Sequence, residues 1–171
     1  IEQRVHPCFV KLKSDIAKVS NEINAVVVND SVIGKNIFEG PGAGAGPTGA
    51  SVMSDLMDII RGTYNYPLGV SMKKKKKLKI QKIDDLSFPY YLRITAKDKA
   101  GVMAKISKAL SQRKISIESI IQKPSKRSNF AEIILITHKV RESSLLSSIK
   151  QIKRLPEVSS SVKFIRIEDS L

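Results

Sequence analysis

A glycine-rich stretch is the first place in the chain where residue types and their spacing could do chemistry. Four glycines, at positions 40, 42, 44 and 46, alternate with proline or alanine before Thr48. Glycine has no side chain, so another molecule can approach its main chain closely. A turn of this kind that opens a helix presents free N–H groups to an anion or a nucleotide. The stretch lacks the dinucleotide fingerprint and the Gly-Lys-Ser/Thr ending of a phosphate loop, so a tight strand-to-helix connection is the alternative.

A second candidate is the pair His6 and Cys8, since Cys8 is the single cysteine of the chain. A thiol acts as a nucleophile only as the thiolate, which a neighbouring base can favour. A separation of two positions does not establish that geometry, and we expect Cys8 to be a small buried thiol instead. A single cysteine also excludes an intrachain disulfide and is typical of a reducing, cytoplasmic compartment.

The elements that must position these residues begin with a strand and a hairpin. Cys8, Val10 and Leu12 alternate with other residues and predict a first strand. Residues 22–30 and 32–38 are rich in β-branched residues and are separated by turn residues, which predicts a two-stranded hairpin. The second strand of this hairpin leads directly into the glycine-rich stretch.

A helix is predicted after the glycines, from Thr48 onward. Apolar residues recur there with helical spacing and predict one buried face. An arginine followed by Gly62 predicts the end of the helix, since glycine is favoured just past a helix C-terminus. The residues predicted to form the buried face are Val52, Leu56, Ile59 and Ile60.

The second half of the chain has a more regular pattern. Four strands are predicted at residues 90–96, 115–121, 131–137 and 162–167. Apolar residues with helical spacing predict one helix over 102–113 and another over 145–152. The order is βαββαβ, and right-handed crossovers place both helices on one face of a four-stranded antiparallel sheet, which is the ferredoxin-like arrangement.

The net charge of +14 is distributed unevenly. Residues 1–62 carry six basic and seven acidic side chains, residues 63–88 carry seven and two, and residues 89–171 carry seventeen and seven. The five lysines of Lys73–Lys77 repel one another and predict a solvated linker. A basic surface can bind nucleic acid, but the chain has no tryptophan and no zinc-finger spacing. We therefore interpret the charge as compositional and expect no nucleic-acid partner.

The length and composition are typical of one large or two small globular domains. The chain has 171 residues, of which 42% are hydrophobic and 27% charged. No run approaches the roughly 18 apolar residues of a membrane span, so no membrane partner is expected. The chain begins with isoleucine and has no secretory signal, which predicts a processed chain or a fragment.

The second half resembles an ACT domain, the small amino-acid-sensing module of metabolic enzymes. The resemblance depends on residues 91–102, Tyr-Leu-Arg-Ile-Thr-Ala-Lys-Asp-Lys-Ala-Gly-Val, which hold the family's strand and its Asp-x-x-Gly-Val turn. Ile106 and Leu110 follow on the helix, and residues 115–120, Ile-Ser-Ile-Glu-Ser-Ile, form the next strand. The motif therefore occurs on the expected elements in the expected order.

The first half resembles the C-terminal end of the catalytic region of homoserine dehydrogenase. A bacterial homoserine dehydrogenase has the same order of catalytic region, linker and ACT domain. The matching residues are the run Arg4-Val-His-Pro7, residues 24–27, the Gly-Pro-Gly-Ala-Gly of residues 40–44, Pro47 with Thr48, Asp55 with Leu56, and Asp58 with Ile59.

This resemblance implies an oxidoreductase that interconverts aspartate semialdehyde and homoserine with NAD or NADP, on the path to threonine, methionine and isoleucine. It also implies that Gly42 and Gly44 lie against the nicotinamide side of the coenzyme, where main chain without Cβ atoms can approach a flat ring. The family's dinucleotide-binding domain and substrate-site residues lie upstream of Ile1. No catalytic or metal-binding residue is therefore carried over, and we expect this chain alone to bind no coenzyme and to be inactive.

The ACT resemblance implies an amino-acid effector, and threonine is expected as the pathway product. N–H groups at the start of the helix near Gly101 could bind the effector's carboxylate. Asp98 could accept from its ammonium group, or it could cap the helix. A neighbouring copy would complete the pocket, so a homo-oligomer, a dimer, is expected. The expected effector-binding residues are Asp98, Ala100, Gly101, Val102, Met103, Ser116 and Ile117.

The sequence thus predicts an α+β chain with three parts: the tail of a catalytic domain, consisting of strands plus one helix, over 1–62, a basic flexible linker over 63–88, and a ferredoxin-like βαββαβ ACT domain over 89–171. The function predicted by resemblance is allosteric regulation of a homoserine dehydrogenase. The alternative is a stand-alone amino-acid-binding regulatory protein without catalysis.

Overall fold

The computed structural model describes residues 1–63, 77–125 and 129–169. They form two compact units, of which the larger contains residues 1–10 and 80–169 and the smaller contains residues 11–63 and 77–79. Residues 1–10 therefore group with the later part of the chain, which the sequence-based boundaries did not anticipate. Of the basic linker predicted over 63–88, residues 64–76 lie outside the described residues, whereas residues 77–88 are described and contain a 3₁₀ turn at Ile83–Asp85 and a short strand at Ser87–Phe88.

The described residues form nine strands and three helices. In order, they are β1 (Cys8–Val10), β2 (Ile23–Asp30), β3 (Gly34–Pro41), α1 (Ala45–Ile60), β4 (Ser87–Phe88), β5 (Tyr90–Lys97), α2 (Val102–Ser111), β6 (Ile117–Pro124), β7 (Phe130–Thr137), β8 (Val140–Arg141), α3 (Glu142–Ile152) and β9 (Val158–Glu168). Short 3₁₀ turns occur at Asp15–Lys18 and Ile83–Asp85.

The larger unit is built on a five-stranded sheet with the strand order β1-β9-β5-β7-β6. The four strands β9, β5, β7 and β6 pair antiparallel with their neighbours, and α2 and α3 lie in the two crossovers. This arrangement confirms the predicted βαββαβ fold. The structure adds a small pairing of β4 with β8, for which the sequence carried no signal.

The core of the larger unit lies between the sheet and the two helices. Every second residue of β5 is fully buried because side chains alternate between the two faces of a strand. The helices contribute Val102, Ile106 and Leu110 from α2 and Leu145, Ile149 and Ile152 from α3. The Ser148 hydroxyl donates to the Ala109 carbonyl at 3.2 Å and joins the two helices.

The fifth strand, β1, pairs parallel with β9, with Cys8 opposite Arg166 and Val10 opposite Glu168. The Phe9 ring packs edge-on against Tyr91, with 5.1 Å between the ring centroids. A strand here was predicted, but its partner 158 positions later was not. The prediction that Cys8 is buried is wrong: the thiol is exposed because β1 forms the outer edge of the sheet.

The smaller unit contains the predicted hairpin. Strands β2 and β3 pair antiparallel from Ile23 opposite Pro41 to Asp30 opposite Gly34. The Asp30 carboxylate closes the turn by accepting from the N–H groups of Val32 at 2.7 Å and Ile33 at 3.1 Å. These two main-chain hydrogen bonds lower the pKa of Asp30.

Helix α1 begins three residues earlier than predicted, at Ala45, and it ends before Gly62, whose φ of 69° is left-handed as the prediction of a terminal glycine requires. The predicted buried face is wrong. The four residues of this face are between 47 and 77% exposed: Val52 53%, Leu56 47%, Ile59 62% and Ile60 77%. No residue of α1 is buried, so its apolar face is uncovered in the described part of this unit.

Candidate functional site

The best-formed candidate site is the loop that joins β5 to α2. The Asp98 N–H donates to the Asn129 carbonyl at 3.0 Å, which fixes the loop against the start of β7. An open cavity of about 510 Å³ lies here, and its lining includes two cations, one carboxylate, one amide and one aromatic ring. The lining residues are Lys97, Asp98, Lys99, Asn129 and Phe130.

The start of α2 lies directly after this loop. Gly101 is the N-cap residue, and its φ of 85° is in the left-handed region that glycine adopts without strain. Val102 is buried and anchors the first turn in the core, whereas Gly101 is exposed and Met103 is half-buried. First-turn N–H groups have no acceptor within their own helix, and the helix dipole favours an anion at this end. The Val102 N–H donates to the Lys99 carbonyl at 3.3 Å, so it is partly engaged.

Asp98 does not cap α2, because the N-cap residue of this helix is Gly101 and no side chain bonds there. The capping role that the sequence left open is therefore not observed. The exposed Asp98 carboxylate instead accepts from Gln122 Nε2 at 3.2 Å. A carboxylate can accept about four hydrogen bonds, so Asp98 retains capacity for a further donor.

Ser116 and Ile117 do not join this loop within one chain. Strand pairing places Ile117 opposite Thr137, at the end of the sheet that holds the start of β5. The loop follows the other end of β5, where Lys97 pairs with Phe130. Six residues of the strand lie between its two ends, and this separation corresponds to a distance of about 20 Å. Of the predicted effector-binding residues, the structure therefore brings together only those from Asp98 to Met103.

The glycine-rich turn lies in the smaller unit, between β3 and α1. Gly44 is the N-cap residue of α1 with a φ of 119°, which side chains disfavour. The Gly42 N–H donates to the Glu22 carbonyl at 2.6 Å, so this group is not free to bind an anion. A Cβ atom at Gly42 would lie 2.0 Å from Asn24 Nδ2. A shallow cavity of about 220 Å³ here has no charged lining residue; it is lined by Pro41, Gly42, Ala43, Pro47, Thr48 and Ser51.

A buried polar cluster in the larger unit was missed by the sequence analysis. We call Arg4, Tyr90 and Glu142 the Glu142 network. Arg4 donates to both carboxylate oxygens of Glu142, at 2.5 and 3.0 Å, and the Tyr90 hydroxyl donates to Glu142 Oε2 at 2.9 Å. Burial would raise the pKa of Glu142, but the hydrogen bonds from Arg4 and Tyr90 outweigh it and lower the pKa. Burial, followed by the bond to Glu142, raises the pKa of Tyr90.

A second cluster lies beside it. The Arg166 guanidinium donates to Glu2 at 2.5 Å and to Glu168 at 2.7 Å, and it stacks 3.2 Å above the centre of the Phe88 ring. We call these four residues the Arg166 network. Both networks join residues that are far apart in sequence, and neither follows from a local motif. Arg4 alone was singled out beforehand, and only as part of the Arg-Val-His-Pro run.

Neither a metal-binding cluster nor a membrane-spanning helix occurs in the described residues. Residues 1–63, 77–125 and 129–169 contain no group of three or more His, Cys, Asp or Glu side chains arranged to hold a metal ion. The same ranges contain no helix with both the length and the apolar composition needed to cross a membrane.

Comparison with protein families divides the chain into two matched regions. Residues 90–157 match the ACT domain, and residues 1–57 match homoserine dehydrogenase. The first match contains the Asp98–Met103 loop and most of the sheet. The second contains β1, the hairpin, the glycine-rich turn and most of α1.

Known proteins match the chain over almost its full length. Homoserine dehydrogenase of Helicobacter pylori is 35% identical over 99% of the chain, and that of Pseudomonas aeruginosa is 37% identical over 98%. The crystal structure of a homoserine dehydrogenase from Thiobacillus denitrificans matches with a TM-score of 0.84 and 32% identity over 98% of the chain. The chain spans about 40% of the length of these relatives. It therefore belongs to the homoserine dehydrogenase family, in which it corresponds to the C-terminal part that carries the ACT domain.

Proposed function

We propose that the chain is the regulatory C-terminal portion of an NAD(P)-dependent homoserine dehydrogenase, and that its ACT domain binds an amino acid, threonine. The observation that carries the proposal is the Asp98–Met103 loop. It places the Asp98 carboxylate in the wall of an open cavity, and the left-handed Gly101 that begins α2 follows three residues later. A free amino acid carries one negative and one positive group, and the loop offers a partner to each.

The two ends of the amino acid would bind different parts of the loop. The α-carboxylate would accept from N–H groups at the start of α2, where the helix dipole adds to the attraction. Lys97 and Lys99 line the same cavity and favour the negative group. The ammonium group would donate to the Asp98 carboxylate, which is already oriented by Gln122.

A dimer would complete this site through β6. This strand is the outer edge of the sheet opposite β1, and its Ile120 and Ile121 are 45 and 49% exposed. Two β6 strands paired antiparallel about an axis between these isoleucines would set each Ile117 beside the other copy's Pro124. The neighbouring Gln122 bonds to Asp98, so Ser116 and Ile117 of the second copy would approach the loop.

The glycine-rich turn would form one wall of the coenzyme site in the whole enzyme. The turn fits the nicotinamide part of NAD(P), which carries no negative charge, better than the phosphates, because its cavity has no charged lining and the Gly42 N–H is already bonded. Gly42 and Gly44 would contribute main chain without Cβ atoms. The coenzyme supplies hydride-transfer chemistry when bound; this chain's residues would position and shield one side of it.

A thermal-shift experiment tests the amino-acid site. Millimolar L-threonine should raise the Tm of the larger unit, because a ligand at 100 times its Kd stabilises the folded state by about 2.7 kcal/mol. Asp98→Asn should abolish the shift and leave the Tm without ligand unchanged, since Asp98 is exposed and does not cap α2. Asp84→Asn, at another exposed aspartate of the same unit, should keep the shift. The proposal is wrong if neither threonine nor any other proteinogenic amino acid raises the Tm.

A further inference from the structure

The first ten residues connect the two matched regions in an unexpected way. They lie within the residues that match homoserine dehydrogenase, yet β1 is a strand of the sheet that forms the ACT domain. Val10 pairs with Glu168 in that sheet, and the very next residue, Lys11, belongs to the smaller unit. The chain also passes between the two units around residue 79.

The Glu142 network holds these ten residues to the sheet at one point. Glu142 is the first residue of α3, and its side chain is only 6% exposed. Its N–H donates to the Leu86 carbonyl at 3.0 Å, which fixes the start of the helix. The carboxylate therefore joins Arg4 of the N-terminal residues to Tyr90, the first residue of β5. Loss of one partner would leave a buried charge uncompensated and would strongly destabilise the folded state. Arg4, Tyr90 and Glu142 therefore favour a single arrangement.

The Arg166 network holds the same ten residues at a second point. Cys8, Arg166 and Tyr90 lie in one row across β1, β9 and β5. Arg166 bonds to Glu2 from the N-terminal residues and to Glu168 from its own strand. The Ile1 carbonyl also accepts from the Gln81 N–H at 2.8 Å. A movement of β5 or β9 must therefore be followed by β1 or must break these bonds.

Strand β5 links these networks to the candidate amino-acid site. Its first residue, Tyr90, belongs to the Glu142 network, and its last residue, Lys97, lines the cavity beside Asp98. A cavity of about 210 Å³ lies beside Arg4, His6, Tyr90 and Arg166. Strand β5 therefore connects the cavity beside Asp98 to the Glu142 network.

We propose that β1 is a coupling strand: the Glu142 network makes it follow the ACT sheet, so that amino-acid binding at the Asp98 loop is transmitted to residues 1–10, which lie in the region matched to homoserine dehydrogenase. Glu142 is then a positioning residue. This inference rests on the proposed function, since it needs an amino acid to bind at the loop.

Hydrogen exchange of main-chain amides, measured by mass spectrometry on the full chain with and without L-threonine, tests this inference. In the unsubstituted protein, threonine should slow exchange in the Asp98–Met103 loop and also change the exchange rate of the β1 amides. Glu142→Gln should speed β1 exchange at least tenfold, leave β7 unchanged, and remove the response of β1 to threonine while the loop still responds. Glu39→Gln, at an exposed glutamate on β3, is the control and should behave like the unsubstituted protein.

Arg4→Met is the second variant, because it removes the cation and leaves the Tyr90–Glu142 bond in place. Arg4→Met should also remove the response of β1 to threonine. It therefore provides the same test if Glu142→Gln does not fold. A loop that responds to threonine while β1 does not, or a β1 response that survives both substitutions, overturns the coupling role alone. A loop that responds to no amino acid overturns the proposed function, and the coupling role with it.

Discussion

Single residues decide whether the Asp98 loop can bind an amino acid. Gly101 has a left-handed backbone that gives α2 an open start, and Asp98 keeps its carboxylate outside the helix cap. Both positions were predictable, because the Asp-x-x-Gly-Val motif is local. The bond from Gln122 to Asp98 was not predictable, since it depends on the pairing of β6 with β7. The Glu142 network was missed for the same reason: Arg4 and Glu142 are 138 positions apart.

Glu142 should make stability depend on pH in a defined window. The pKa of its carboxyl is lower in the folded state than its ordinary value of 4.5, so its contribution is complete above that value and is lost as pH falls through the folded-state pKa. Glu142→Gln should lower the free energy of unfolding by about 2 kcal/mol at pH 7, the scale of hydrogen bonds to a charged group.

Urea unfolding of the larger unit at pH 7 and at pH 3.5 or below (about one unit under the ordinary glutamate pKa) measures this effect. The difference between the two proteins should narrow at the lower pH, because protonation of Glu142 also weakens the network in the unsubstituted protein. Glu39→Gln, at an exposed position with no hydrogen bond to Arg4 or Tyr90, should show no such difference at either pH. An equal loss of stability at both pH values for Glu142→Gln would contradict an ion-pair role.

At the scale of elements, periodicity predicted most of the larger unit, including a strand at each edge of its sheet, but not the pairing of β1 with β9. The βαββαβ order followed from alternating strands and amphipathic helices, and the observed bounds differ by only a few residues. The pairing of β1 with β9 could not be predicted, because a three-residue strand carries almost no pattern. The position of β1 matters because it covers one edge of the sheet and leaves β6 as the other edge.

Self-association through β6 gives a prediction at this scale. Ile121→Lys should convert a dimer into a monomer, because a lysine on an edge strand opposes pairing with another strand. Ile33→Lys places the same charge on an isoleucine that is 71% exposed in the β2–β3 turn, and should leave the dimer intact. Sedimentation velocity distinguishes the two states. A monomeric unsubstituted protein, or an Ile121→Lys variant that still dimerises, would show that β6 is not the interface.

The whole molecule has an uneven distribution of buried apolar surface. The larger unit has one continuous core, whereas the helix of the smaller unit has no buried residue. A hairpin of two strands is at most marginally stable alone in water. The sequence correctly predicted an amphipathic α1 and wrongly predicted that the face would be covered, because periodicity indicates which face is apolar and not what packs on it.

The exposed face of α1 should bind an apolar fluorescent dye. Replacing Leu56 and Ile60 by serine removes two of its largest apolar side chains and should lower the dye fluorescence at least twofold, because contiguous exposed apolar surface is what such dyes bind. The Tm of the larger unit should not change. Leu78→Ser, at a leucine that is 67% exposed outside α1, is the matched control. Equal fluorescence from all three proteins would mean that α1 is not the exposed apolar surface.

The central claim is that an amino acid binds where β5 meets α2. Nuclear magnetic resonance of the main-chain amides during titration with L-threonine tests it most directly. The account predicts saturable shifts that are largest at Gly101, Val102 and Met103, with smaller shifts at Ser116 and Ile117 in the dimer and none in Asp98→Asn. Saturable shifts centred elsewhere, or no shifts with threonine and the other proteinogenic amino acids, would contradict it.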